Sequence, residues 1–395
     1  VNTSHNVTTV ATETLLRPTW ADIDVAVFEQ NVDAIALGLP ERSRLIALLK
    51  ADAYGHGAVE LARRCRPDRV AMLATALLEE SLELRRAGIE LPLLCLGAVD
   101  AEQVRLADDH RITLGVVGPE ELAEVCRVAK ERDLGIHLKL DSGLGRMGVV
   151  EPELPRVIEL IRSAPRLRIE ALYTHFANAE DTVSDLTERQ LAAFERMVGT
   201  LRAAGIEAPL HHSANTAATF RDLVKPGDYI RSGIALFGPS TTRYHGRTIA
   251  PVMRWRTVIA RLKELPAGHG IGYGATFHTT RPSRIATLPV GYADGYSRSL
   301  SNRGEVLVLG QRAPVVGRVS MDLVTVDVTD IAGAEAGDEV VLIGKQGQEE
   351  ITADEMASRI GTISYEVFCS VSARVPRLFH EGGRVTIRSR FDGLA

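Results

Sequence analysis

Between residues 44 and 238, short apolar runs alternate with longer stretches whose apolar residues recur every three or four positions. The runs are RLIALLK (44–50), RVAML (69–73), LPLLCLG (91–97), RITLGVV (111–117), GIHLKLD (135–141), LRIEALYTHF (167–176), LHHSAN (210–215) and YIRSGIALFG (229–238). Each has the length of a buried strand. TALLEESLELRRAG (75–88) and SDLTERQLAAFERMVGTLRAAG (184–205) typify the stretches between, with helical spacing and a closing glycine. About eight such β-α units predict a parallel (β/α)8 barrel of the TIM type. An open doubly wound sheet is the competitor, and the count of units favours the barrel.

Near residue 250 the texture changes. WRTVIARLKELPAG (255–268), SRIATLPVGYADG (283–295), the segment 304–330 and GDEVVLIG (337–344) alternate with period two between glycine-rich turns. They predict a mainly antiparallel β domain, with ITADEMASRIG (351–361) as an interposed helix. The expected organisation is a flexible tail at 1–16, a barrel at 17–248 and the β domain at 249–395. A strand near 19–24 is a candidate to pair with the C-terminal domain.

Composition narrows the function. Apolar residues make up 45% and charged residues 25% of the 395, and the net charge is −5. No basic run or basic-aromatic stripe suggests a nucleic-acid surface. No apolar run approaches the ~18 residues that span a bilayer. The N-terminus is polar and threonine-rich, without the apolar core of a signal peptide. The four cysteines, Cys65, Cys95, Cys126 and Cys369, are far apart and form no C-x-x-C. Free thiols in a reducing compartment, the cytoplasm, are the expectation, with no metal site.

LKLDSGLGRMG (138–148) holds Gly143, Gly145 and Gly148 in the spacing G-x-G-x-x-G. A dinucleotide loop needs a helix to start at its second glycine, so that free N–H groups meet the phosphates. Here two prolines delay the helix, and the loop belongs to the fifth β-α unit. Lysine is scarce, six of 46 basic residues, which draws attention to Lys50 at the end of the first barrel strand. Barrel active sites gather at that face. A desolvated lysine there suits Schiff-base or general-base chemistry, whereas one that snorkels to solvent does not. Tyr54 follows in a glycine-rich turn. His137, Lys139 and Asp141 alternate along one strand and should share a face.

KADAYGHG, DSGLGRMG, YTHFANAE, HHSANTAATF, RSGIALFG, GYGATF, PVGYADGY, GRVSMD and YEVFCSVSARVPR occur in order between residues 50 and 377, within a likeness that runs from about residue 17 to about 380. Together they closely resemble alanine racemases, enzymes dependent on pyridoxal 5′-phosphate (PLP). The resemblance implies that Lys50 carries PLP and acts as base on one face of the substrate α-carbon, taking the D enantiomer's proton. Tyr273 takes the L enantiomer's proton on the other face and reaches the barrel of a second subunit, so the expected state is a homodimer with shared sites. His175 partners this tyrosine and passes a hydrogen-bond chain to Arg231, which faces the PLP ring nitrogen and is held by His212. Tyr54, Thr216, Gly233, Ile234 and Tyr365 are implied phosphate ligands. Arg146 is implied to reach the cofactor phenolic oxygen and the substrate carboxylate, to which Met321 adds a backbone N–H, with Asp322 beside it. Lys139, carbamylated in many members, would hold Arg146.

The implied reaction interconverts L- and D-alanine and supplies D-alanine for peptidoglycan. A broader racemase acting on serine or lysine is the nearest alternative. A PLP-dependent decarboxylase would place an acid at the ring nitrogen and a cysteine where this chain has VSMD. A PLP carrier would lack the β domain.

Overall fold

The computed structural model describes residues 15–390, so the tail expected at 1–16 lies outside it except for Leu15 and Leu16. Strand β1 (Thr19–Asp24) leads, by way of helix Val25–Ala36, into β2 (Arg44–Leu48), β3 (Val70–Thr75), β4 (Leu93–Cys95), β5 (Ile112–Val116), β6 (Leu134–Lys139), β7 (Leu167–Tyr173), β8 (Leu210–His212) and β9 (Tyr229–Ser232). Strands β2 to β9 form one parallel sheet in the order β8-β7-β6-β5-β4-β3-β2-β9, with helices between successive strands. The sheet is a nearly closed TIM-type barrel. The Arg231 N–H donates to the Ala214 carbonyl at 3.0 Å, tying β9 to the segment after β8 across the closing gap. Apolar strand residues such as Ile46, Leu73, Leu114 and Leu172 are buried with the helices' apolar faces in one core. Parallel strands put all their C-terminal ends at one mouth, which gathers the polar residues at those ends.

β1 belongs to the other sheet. It pairs antiparallel with Met253–Val258 and parallel with Arg377–Glu381, in the centre of an eight-stranded C-terminal sheet. Arg256, 2% exposed, pairs with Asp22 of β1 and with Glu339. A buried cation needs such partners, and these bind β1 to the C-terminal sheet. A three-stranded antiparallel sheet of Arg261–Leu265, Ser283–Leu288 and Val324–Asp327 packs beside it.

Two apolar runs end earlier than the hydrophobic pattern suggests. In YIRSGIALFG the strand stops at Ser232 and Ile234–Phe237 becomes a short helix. The run LLKADAYGHG leaves β2 at Leu48, and Lys50 opens the following turn. Both departures lie at the barrel mouth.

Candidate active site

The turn after β2 has an unusual backbone. Ala51, Asp52, Ala53 and Tyr54 all have φ between 52° and 54°. L-residues resist this left-handed conformation by roughly 1–2 kcal/mol each, so the surroundings must impose it. The Ala51 N–H donates to Glu80 Oε1 at 2.6 Å, and the Ala58 N–H to Asp52 Oδ1 at 2.7 Å. His56, fully buried, bonds through Nδ1 to the carbonyls of Tyr54 (2.9 Å) and Ala53 (3.1 Å). Carbonyls accept only, so Nδ1 carries the proton. Its ring stacks on Phe237 at 4.6 Å and meets Phe368 edge-on at 4.7 Å. The Arg377 Nε donates to Gly55 O at 3.0 Å. The turn is thus clamped between barrel and C-terminal domain. Burial, then the neighbouring Arg146 guanidinium, hold the Lys50 ammonium below the ordinary lysine value.

Across the mouth, Arg231 is 2% exposed. One terminal nitrogen donates to His212 Nδ1 at 2.6 Å and to the His212 carbonyl. The other donates to Thr174 O (2.6 Å), His175 Nδ1 (3.2 Å) and Ser213 O (3.3 Å). Because arginine only donates, both histidines accept at Nδ1 and carry their protons on Nε2. His212 Nε2 is then the donor to His137 Nδ1 at 2.9 Å. His175 keeps an Nε2–H that neither Arg231 nor His212 uses. Burial and the Arg231 charge push His175 down to about 3, and burial takes His137 down to about 4, so both rings stay neutral. The Tyr173 ring lies under the guanidinium at 5.4 Å and stacks on His212 at 4.6 Å.

The G-x-G-x-x-G loop is built around Asp141. Its Oδ1 accepts N–H bonds from Gly143 (2.9 Å), Leu144 (2.8 Å) and Gly145 (3.2 Å), and its Oδ2 accepts from Arg146 (3.1 Å). The donors that could have cradled a pyrophosphate are already spent on this carboxylate. Gly148, at φ +125°, brings the chain back so closely that a Cβ would lie 2.8 Å from the Asp141 nitrogen. The loop presents Arg146, exposed, towards Lys50 and Lys139. Lys139 is 8% exposed at the end of β6, and burial, Arg146 and Arg231 depress it to about 8.

Hydroxyl and N–H donors meet beside these groups. The Thr216 hydroxyl lies 3.3 Å from Ser232 Oγ and accepts the Gly233 N–H at 3.3 Å. The helix Ile234–Phe237 starts immediately after, so its first N–H groups have no partner within the helix. A Cβ on Gly233 would come within 2.3 Å of the Tyr54 hydroxyl, so only glycine leaves this cradle open. The Tyr365 ring stands 5.8 Å from Tyr54. A lysine of lowered basicity, a neutral donor cradle and two arginines fit PLP, which offers a carbonyl, a phosphate and a phenolic oxygen.

Thus Lys50, Tyr54, Lys139, Arg146, His175, His212, Thr216, Arg231, Gly233, Ile234 and Tyr365 are drawn to one mouth. Tyr273, Met321 and Asp322 sit apart, on the C-terminal domain. Tyr273 opens the short helical turn Tyr273–Ala275 and is 73% exposed. The Met321 carbonyl accepts the Ala293 N–H at 3.0 Å, and Asp322 accepts from Arg374 at 2.8 Å. Sequence reasoning assigned no role to His56 or Glu80. Glu80 stands three residues after the helix N-cap Leu77, the capping-box position, which is the one signal that marks it.

Residues 23–241 match the model of the alanine racemase N-terminal domain and residues 252–379 that of the C-terminal domain. The alanine racemase of Halothermothrix orenii is 42% identical over 369 residues, covering 92% of this chain and 97% of that protein. The crystal structure of alanine racemase from Bacillus anthracis with bound L-Ala-P superposes with a TM-score of 0.88 at 34% identity, over 96% of this chain and 99% of that one. The alanine racemase of Bartonella henselae with covalently bound pyridoxal phosphate gives a TM-score of 0.82 at 27% identity, over 92% and 99% of the two chains. The chain belongs to the alanine racemase family, and the enzyme is an amino-acid racemase.

Proposed function

We propose that this protein racemises alanine with two bases, Lys50 of one subunit and Tyr273 of a second copy of the chain, at a PLP site in the barrel mouth. The observation that carries the reading is the Arg231 cluster across the barrel mouth from Lys50. A buried guanidinium is held by carbonyls and neutral imidazoles, with no carboxylate bonded to it among the described residues. PLP, when bound, supplies an electron sink that acidifies the substrate's α-C–H bond.

Lys50 would hold the cofactor through Nζ, and Thr216, Tyr54, Tyr365 and the Gly233 and Ile234 N–H groups would receive its phosphate. Arg231 cannot accept a proton, so a pyridine nitrogen facing it would stay neutral and the sink weak. That suits an enzyme that only exchanges a proton. A decarboxylase would want an acid there. Arg146 offers a planar fork to the alanine carboxylate, and Met321 of the second copy adds its N–H. Lys50 Nζ takes the proton of D-alanine on one face while Tyr273 Oη gives one on the other, and L-alanine reverses both transfers. A phenol is a poor base at its ordinary pKa of about 10. The His175 Nε2–H, backed by Arg231, is a donor suited to stabilise the phenolate. With Tyr273 of the second copy set opposite Tyr365, the mouth would be narrow and would favour a methyl side chain over serine's or lysine's.

We assign the activity to the cytoplasm, where D-alanine would feed peptidoglycan. Cys65, Cys95, Cys126 and Cys369 are all unpaired, as a reducing compartment requires. The test is NMR of L-alanine with PLP-loaded enzyme in heavy water, followed by chiral analysis, with serine and lysine in parallel. Loss of the α-proton with appearance of D-alanine, fastest for alanine, is expected. Bound PLP without exchange on any amino acid would refute the proposal.

A further inference from the structure

The Lys50 turn is held at the rim of the barrel mouth by a side chain of the next β-α unit, whose second oxygen has no purpose in its own helix. Glu80 lies in the first turn of helix Leu78–Arg86, whose N-cap Leu77 has no side-chain acceptor. Its Oε2 does the capping, accepting the N–H groups of Ala76 (2.9 Å) and Leu77 (3.1 Å). A neutral glutamine would cap as well. The other oxygen, Oε1, reaches 29 residues back along the chain to the Ala51 N–H at 2.6 Å. Ala51 directly follows Lys50 and begins the left-handed run, so this bond fixes the backbone at the point where the lysine leaves it.

The charge matters too. Arg146 and Cys369 act on the Lys50 ammonium together with Glu80, and Lys139 and His175 feel the same ammonium from across the mouth. Arg146 favours loss of the Lys50 proton, and Glu80 favours its retention. We propose that Glu80 is a positioning residue for Lys50: its carboxylate ties the lysine's turn to the next β-α loop and sets a counter-charge against Arg146. The proposal rests on Lys50 being the PLP lysine. Carboxylate bonds to backbone N–H groups are about twice as strong as neutral ones, which suits a turn the chain would not adopt unaided.

Glu80→Gln and Glu80→Asp, made in the full-length protein, separate the parts. Glutamine keeps one oxygen for the cap but removes the charge and turns an NH2 donor towards the Ala51 N–H, so it loses charge and tie together. Aspartate keeps the charge but is one methylene too short to span both loops. PLP affinity is read by equilibrium dialysis, and melting temperature is followed alongside. In protein stripped of PLP, trace acylation with acetic anhydride across pH, quantified on the Lys50 peptide by mass spectrometry, reads the lysine's protonation. Glu80→Gln should move the Lys50 midpoint to lower pH and weaken PLP binding about tenfold. Glu80→Asp should weaken PLP binding with a smaller movement of the midpoint. If both variants only melt earlier, with PLP affinity and Lys50 midpoint as in the unaltered protein, Glu80 is a helix cap and the proposal fails. Lys50→Ala is run beside them. PLP bound as tightly by that variant overturns the assignment of Lys50 itself, a result separate from any failure of Glu80.

Discussion

Lys139 illustrates how one residue's surroundings select its chemistry. It is buried, and Arg146, Arg231 and Lys50 all disfavour its charge; Asp141 alone opposes them. Asp141 has committed both oxygens to the backbone of residues 143–146 and makes a poor counter-ion. With its pKa down at about 8, Lys139 presents a substantial neutral fraction near physiological pH. A neutral amine adds carbon dioxide at Nζ and releases a proton, which leaves a carbamate whose negative charge suits the arginine-rich mouth. We therefore expect a carbamate resonance in 13C NMR of the protein equilibrated with labelled bicarbonate, absent from Lys139→Arg. A wild-type spectrum without that resonance would leave Lys139 an ordinary amine, and Arg146 would then need another anchor.

The element that organises the site is the left-handed turn Ala51–Tyr54, and its stability should depend on pH through His56. Burial lowers His56 from 6.5 to about 3, and its Nδ1 donates to the Ala53 and Tyr54 carbonyls. A histidine depressed on folding contributes stability fully above its unfolded pKa near 6.5 and loses it as pH falls towards the folded value. From about pH 7 to about pH 5 this one group should cost about 2 kcal/mol of unfolding free energy. His137 and His212 add losses of the same sign. Urea unfolding at both pH values, compared between the protein and His56→Asn, isolates the contribution; an equal loss in both would show that His56 is not its source.

The same turn marks the limit of what the chain reveals when read alone. The eight apolar runs and the change to period two near residue 250 were legible, because burial on a sheet leaves a periodic trace. Lys50, Arg231 and Arg146 stood out by motif. The conformation of Ala51–Tyr54 was not legible: no glycine or asparagine announces four positive φ angles, and contacts from Glu80, His56 and Arg377 impose them. The break at Gly233 was hidden for a related reason. IALF reads equally as strand or helix, and the approach of the Tyr54 hydroxyl to Gly233, 179 positions along the chain, marks the point where the strand ends. Tertiary contacts outweigh local preference where the chemistry sits.

At the scale of the whole molecule, the two sets of candidate residues stand apart. The barrel mouth carries Lys50 and the Arg231 cluster, while Tyr273 and Met321 are exposed on the C-terminal domain, at 73% and 53%. A general base held out in water does not serve a site that works by excluding it. On the proposed account, two copies about a two-fold axis would solve this, each domain surface covering the other's barrel mouth. On this account neither subunit carries a complete site.

Mixing two inactive variants tests that claim most directly. Lys50→Ala and Tyr273→Phe each remove one base, so neither homodimer should racemise alanine. Unfolded and refolded together in equal amounts, they should give half heterodimers, each with one intact site and one doubly defective site. Racemisation should return to about a quarter of the wild-type rate. If mixed dimers form, as tagged subunits would show, and activity stays at the level of the separate variants, both bases come from one chain and the shared-site account is wrong.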